Sequence, residues 1–248
     1  MEYYFSVIYV LISVELAGGD LNKIDSAEIG VIRTKRQTSM KLSSSEKRLV
    51  IESHNELRRL EKATDMAYMS WDEDLANQAQ QWADKCKWKH GNVVDVPKFS
   101  YVGQNLQAST GQVGMDTVIK KQWYYSEKPS YTYKTGYCAK VCGHYTQVVW
   151  AESRSVGCGR TFCPNIAGIS WAGGGYIVVC NYGPGGNIRG YQPYRRGGAP
   201  CSKCPRSMSY CINGLCSASA EPYTSSTTRS SPSIALYLIF VLIAYLAL

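Results

Sequence analysis

Four polar residues could share a site. His144 sits in the stretch CGHYTQVVW (142–150) and His90 follows Cys86 by four residues. Glu127 closes the run WYYSE, and Gln104 lies in YVGQNL. Two imidazoles can ligate Zn²⁺, with waters or a carboxylate completing the shell, so His90, His144 and Glu127 describe an open and weakly binding metal site. The same residues could instead be structural histidines with their hydrogen bonds satisfied, and the spacing leaves both readings open. Gln104 can donate and accept hydrogen bonds but cannot ionise, so it adds neither a base nor negative charge.

Other routes to catalysis lack their motifs. No G-x-S-x-G elbow is present, since GISWAG misses the second glycine by one position. There is no HExxH, and no G-x-G-x-x-G opens a helix after a strand. Catalytic residues are therefore not expected. The ten cysteines all fall between Cys86 and Cys216, an even set too numerous for a single free nucleophile. The last four, in CSKCPRSMSYCINGLC, have C-x2-C-x6-C-x4-C spacing that is irregular for a zinc knuckle, and disulfides are the preferred reading.

Elements must position these residues. LSSSEKRLVIESHNELRRLEK offers Ser43 and Glu46 as a capping box, with Leu49, Val50, Leu57 and Leu60 on one helical face. A second helix begins near Asp72, its stripe running through Leu75, Ala79, Trp82, Ala83 and Cys86. His90 comes at its end. A third, MDTVIKKQWYYSE, places Met115, Val118, Ile119 and Trp123 together and ends at Glu127. Gln104 falls in a connecting segment. HYTQVVWA and GYIVVCNY are β-branched and aromatic and read as strands, so His144 would enter a strand. Helices first and strands later suggest an α+β sandwich of one domain. After Tyr194 the chain turns small and basic, and RRGGAPCSKCP reads as a hinge into a separate cysteine-bonded knob.

Both ends read as processing signals. Residues 1–18 carry an apolar core and small residues suited to a signal peptide, although the basic start is missing and Glu15 interrupts the run. Residues 19–36 form a possible propeptide ending at the dibasic Lys35-Arg36. Residues 217–233 form a Ser/Thr-rich spacer, and 234–248 form an apolar tail reaching about 22 Å as a helix, short of a roughly 30 Å hydrocarbon core. Small residues, spacer and terminal tail are the order of a GPI-anchor signal, with a short anchoring helix as the alternative. An extracellular or cell-surface location follows from these expectations. The net charge is +8, and from Lys134 to Ser219 Glu152 is the lone acid among nine basic residues. Such a face favours polyanions, either sulfated glycans or anionic headgroups, and a solvated basic face with no partner is the other, preferred reading. Nucleic acid is not an expected partner of a secreted chain. There is no Asn-x-Ser/Thr sequon.

GHYTQVVWAES (143–153) and IVVCNYGPGGNI (177–188) resemble, along their whole length, the two signature stretches of the CAP superfamily. That superfamily comprises cysteine-rich secretory proteins, venom antigens and plant pathogenesis-related proteins. HNELR and MSWDEDLANQAQQWADKC extend the resemblance, which covers about Leu42 to Cys216 and is strongest toward the peptidase-inhibitor branch. It implies a three-layer α-β-α sandwich with a central antiparallel sheet over 42–195, followed by a small disulfide-bonded hinge module over 196–216. It implies the pairs Cys86–Cys163, Cys158–Cys180, Cys201–Cys211 and Cys204–Cys216, which leaves Cys138 with Cys142. It also implies a central cavity of two His and two acids, mapped onto His90, His144, Glu127 and Gln104. Here the glutamine replaces the usual acid. A non-enzymatic binding protein with a weak Zn²⁺-capable cavity is then expected, with a lipid, sterol or protein ligand. Inhibition of trypsin-like proteases is the alternative, and a metal-dependent hydrolase is the least favoured reading.

Overall fold

The computed structural model describes residues 36–91 and 96–220. The expected signal peptide, all but the last residue of the propeptide, most of the spacer and the apolar tail therefore lie outside the described residues. Among the described residues, no helix is long and apolar enough to cross a membrane.

Helix α1 (Ser44–Leu60) opens as its sequence requires. The Ser43 hydroxyl accepts from the Glu46 amide while the Glu46 carboxylate accepts from the Ser43 amide, satisfying two donors that have no partner inside the helix. Its buried face differs from the simple apolar stripe. Val50, Ile51 and Leu57 are inside, but Leu49 and Leu60 are exposed, and the polar Ser53, His54, Asn55 and Arg58 take the remaining inward positions. The fully buried Arg58 guanidinium donates to the carbonyls of Ala67, Val148, Trp150, Ala151 and Ser153. It thereby supplies the hydrogen bonds of loop backbone that no strand could satisfy.

Helix α2 (Glu73–Ala83) is capped by Asp72, whose carboxylate accepts from the Asp74 and Leu75 amides. The main sheet is ordered β1 (Thr38–Ser39), β6 (Ser155–Cys163), β7 (Gly175–Gly183) and β3 (Gly103–Ser109), all antiparallel. A two-residue strand β2 (Ser70–Trp71) joins β6 in parallel. The run Ile177–Val178–Val179–Cys180 is apolar on both sides because both faces are covered. Ile177 and Val179 pack with Ala79 and Ala83 of α2, while Val178, Cys180 and Tyr182 meet Val50, Leu57, Tyr124 and Tyr145 on the opposite face. Helix, sheet and helices make the three layers.

The approach of α2 to the sheet requires glycine. A Cβ at Gly157 of β6 would lie 2.1 Å from the Ala76 amide nitrogen, and one at Gly159 would lie 2.4 Å from the Gln80 Cα.

The third helix is short and changes pitch. After α3 (Met115–Thr117) the chain continues as a π-helix over Val118–Tyr125, keeping Met115, Val118, Ile119 and Trp123 buried. The greater correction concerns HYTQVVWA. Residues Gly143–Val148 form helix α4 rather than a strand, despite their β-branched composition. A hairpin of β4 (Tyr131–Thr132) and β5 (Tyr137–Cys138) precedes it.

Five disulfides are formed: Cys86–Cys163, Cys138–Cys142, Cys158–Cys180, Cys201–Cys211 and Cys204–Cys216, with no cysteine free. The last two brace β8 (Tyr210–Ile212) and β9 (Leu215–Ser217). That region is not a separate knob. The Cys216 amide donates to Met66 O, the Tyr68 amide to Cys216 O, and the Lys203 amide to Thr64 O, so backbone bonds bind it to the loop after α1. The approach to it is pinned by the buried Glu61, which accepts from the Tyr124 and Tyr194 hydroxyls and from Lys128. Burial would raise the Glu61 carboxyl, but these hydrogen bonds hold it below the usual carboxylate range.

Candidate functional site

The four residues singled out in the sequence form two pairs. In the first, Gln104 lies on strand β3 rather than in a connecting segment, opposite Asn181 of β7. Its carbonyl oxygen accepts the Gly91 amide at 3.0 Å and stands 3.2 Å from His90 Nδ1; its amide nitrogen donates to Asn181 Oδ1 at 3.1 Å. The Gly91 amide can only donate, which fixes the orientation of the Gln104 amide. An amide oxygen can only accept, so His90 Nδ1 carries the proton and Nε2 is left with its lone pair. His90 is exposed and lies beyond the end of α2. Its segment is held by the Cys86–Cys163 bridge and by the Trp82 indole, which donates to Lys89 O.

The second pair explains α4. Cys142, the residue before the helix, makes no side-chain cap. Buried Glu127 does that work from a distance. One carboxylate oxygen accepts the His144 and Tyr145 amides at 2.9 and 3.0 Å, and the other meets His144 Nδ1 at 2.5 Å. A carboxylate on orphan N–H groups stabilises a helix start, which overrides the β preference of Thr146, Val148 and Val149. The imidazole stacks parallel to Trp123, with ring centroids 5.9 Å apart. Again Nδ1 donates, and Nε2 is the atom left to face a ligand.

The pairs meet through the strand. Asn105, next to Gln104, donates to His144 O at 3.2 Å and lies 3.4 Å from the Tyr182 hydroxyl. A groove of about 840 Å³ opens beside them, walled by His90, Phe99, Tyr101, Gln104, Gln147 and Asn187. His144 and Glu127 do not line it. Gln147 is buried; it accepts the Gly186 amide and donates to Ser153. Asn187 donates to Gly143 O and accepts from Thr146. Asn105, Gln147, Asn181 and Asn187 were not singled out from sequence, although three of them lie inside the two signature stretches and Asn105 directly follows Gln104. An amide gives no local clue that its side chain will be hydrogen-bonded to segments far along the chain.

The fit to Zn²⁺ can be tested from these donors. Glu127 is used by the α4 amides and His144 Nδ1, and Gln104 is neutral. Among the described residues, the sole set of three His, Cys, Asp or Glu ligand atoms within 4.8 Å is Cys201, Cys204 and Cys216, all of which are in disulfides. A closed four-ligand site is not built here, and two imidazole Nε2 atoms are the available donors. The remaining histidine, His54, is wholly buried. Its Nδ1 donates to Val50 O and its Nε2 accepts from the Tyr182 hydroxyl. Burial pulls its pKa down to about 4, and Arg58 pushes the same way.

The family profile of the cysteine-rich secretory proteins matches residues 51–182, which spans both pairs and the sheet between them. The chain belongs to the CAP family. This CAP protein is 39% identical to human peptidase inhibitor 16 over 185 residues, 73% of this chain and 38% of that protein. It is 41% identical to human GLIPR1-like protein 1 over 173 residues, 67% and 69% of the two chains. Among solved structures, it is similar to NaASP2 with Zn²⁺ at a TM-score of 0.54 and 26% identity, covering 71% of this chain and 97% of that one. The five disulfides agree with the secretory character of the family, since such bonds persist outside the reducing cytosol.

Proposed function

We propose that this CAP protein is a non-enzymatic extracellular binding protein whose ligand enters the groove beside His90 and Gln104. The observation that carries the reading is the commitment of every titratable candidate. Glu127 is spent on capping α4, Gln104 cannot ionise, and each imidazole has its Nδ1 tied to a fixed oxygen. What remains is a wall of oriented polar groups beside Phe99 and Tyr101, a composition suited to holding a ligand with both polar and apolar parts. A lipid, a sterol or a protein segment has that character. Zn²⁺ would be held through His90 and His144 Nε2, weakly, because no carboxylate in the pair of sites is free to offset its charge. When bound, it would supply a Lewis-acidic centre for a ligand oxygen.

Calorimetric titration of the protein with Zn²⁺ tests this, beside His144→Ala and Gln104→Glu. Binding that vanishes in the first variant and tightens in the second supports a metal cavity weakened by the glutamine. No binding in any variant makes both histidines structural, and the groove would be assayed with sterols and lipids alone.

Protease inhibition, which the name of peptidase inhibitor 16 suggests for that relative, gains nothing from the exposed loop Cys138-Ala139-Lys140-Val141-Cys142. Its ends are 5.9 Å apart across Cα atoms, whereas four residue steps of an extended substrate-like strand span about 13 Å. A protease cleft could not read Lys140 in that shape.

A further inference from the structure

We propose that a second surface, which adjoins the groove at Asn187, docks on an anionic lipid surface. It is made by the hairpin segment 131–142 and the loop 187–192, which are stitched together. The Tyr131 hydroxyl donates to Gln192, Asn187 donates to Gly143 O, and a Cβ on Gly136 would lie 3.6 Å from the Gln192 side chain. The Cys138–Cys142 bridge fixes the tip.

The three most exposed large hydrophobic side chains of the described residues all project from these two segments. They are Tyr191 at 74%, Val141 at 69% and Tyr137 at 64%, with Ile188 beside them. Scattered singly, such residues need no explanation, but gathered on adjoining tips they mark an interaction surface. The cations of the same segments are Lys134, Lys140 and Arg189, all exposed, and no carboxylate occurs in either. None of the three forms an ion pair among the described residues, whereas Arg195 and Arg196 just beyond are committed to Asp65 and Glu61. Glu152 is the one exposed acid close by, across a groove of about 440 Å³ that Ile188 and Tyr191 help to wall.

Charge selects an anionic partner, and the aliphatic side chains select its kind. A sulfated glycan is polar along its length and gives Val141 and Ile188 nothing to bury against. A bilayer with anionic headgroups offers both, with acyl chains for the apolar tips and phosphates for the rim of cations. Apolar insertion combined with basic attraction is how an unlipidated surface reaches useful membrane affinity.

The test uses the full-length protein as processed by expressing cells, mixed with phosphatidylcholine vesicles with and without phosphatidylserine. The vesicles without phosphatidylserine control for binding through the apolar tail. Phosphatidylserine should increase binding. Lys140→Gln and Arg189→Gln should each weaken the increment about fivefold at low salt, and Tyr191→Ser about tenfold. Glu152→Gln should strengthen it. Tyr191→Trp should bind like the parent and shift its emission to the blue on vesicles. If the charge variants weaken binding while Tyr191→Ser and the Trp emission do not respond, the attraction is of a polyelectrolyte only and the proposal is overturned. Absence of any phosphatidylserine increment also overturns it and directs the surface to an acidic protein partner. Displacement by heparin with Tyr191→Ser unaffected would instead assign it to sulfated glycans.

Discussion

Glu127→Gln is the substitution that probes the site most directly, because the two side chains have the same shape and differ in acceptors. The carboxylate accepts three hydrogen bonds, from the His144 and Tyr145 amides and from His144 Nδ1. Glutamine has one acceptor oxygen and one amide group. Keeping the oxygen on the two backbone amides places the NH₂ against Nδ1, so the imidazole must lose its Nδ1 proton and carry it on Nε2 instead. Placing the oxygen on Nδ1 leaves two buried amides facing an NH₂. Bonds to a charged acceptor contribute about 1.5–3 kcal/mol and neutral ones about 1 kcal/mol, so the first arrangement, which keeps three bonds in weakened form, costs at least about 1.5 kcal/mol, and the second, which loses two of them, costs more. Urea denaturation with disulfides intact reads that loss, and ¹⁵N chemical shifts of the imidazole read the tautomer. We expect a lower urea midpoint together with a proton moved to Nε2, which would also abolish any metal binding there. An unmoved midpoint with Nε2 still unprotonated would show that Glu127 neither caps α4 nor orients His144, and the reasoning would fail.

Acid should destabilise the fold across a defined window. His54 is neutral in the folded protein down to about pH 4 but takes a proton near 6.5 when unfolded, so its contribution is complete above 6.5 and is lost as pH falls toward 4, by about 3 kcal/mol. Glu61, held below its ordinary value, adds a further loss as pH drops past the usual carboxylate range. A urea midpoint flat between pH 7 and 4 would contradict the His54 expectation, and a midpoint that falls no further below pH 4 would contradict the one for Glu61. Gly157→Ala and Gly159→Ala should each push α2 off the sheet and lower stability by at least about 1–3 kcal/mol, the range for overpacking a filled interior, measurable as a drop in Tm. An unchanged Tm in either variant would mean that α2 has room to retreat.

Much of the architecture was legible because local chemistry and tertiary structure agree. The Ser43–Glu46 box, the Asp72 cap and the apolar run through Ile177–Cys180 need only neighbours in sequence to be recognised, and each forms the element its pattern specifies. The two signature stretches identified the family for the same reason: they are contiguous. Leu49 and Leu60 were misplaced because periodicity counts apolar residues alone, while α1 buries His54, Asn55 and Arg58 to satisfy loop carbonyls that come from far along the chain. α4 was misread as a strand because its decisive stabiliser, Glu127, is 16 residues before Gly143 and acts through space. Residue types by themselves determined which groups could not do chemistry, above all the glutamine at 104. Which groups remain free to meet a ligand was decided only by the tertiary structure, because a hydrogen bond uses up an atom and sequence does not record which atoms are already taken.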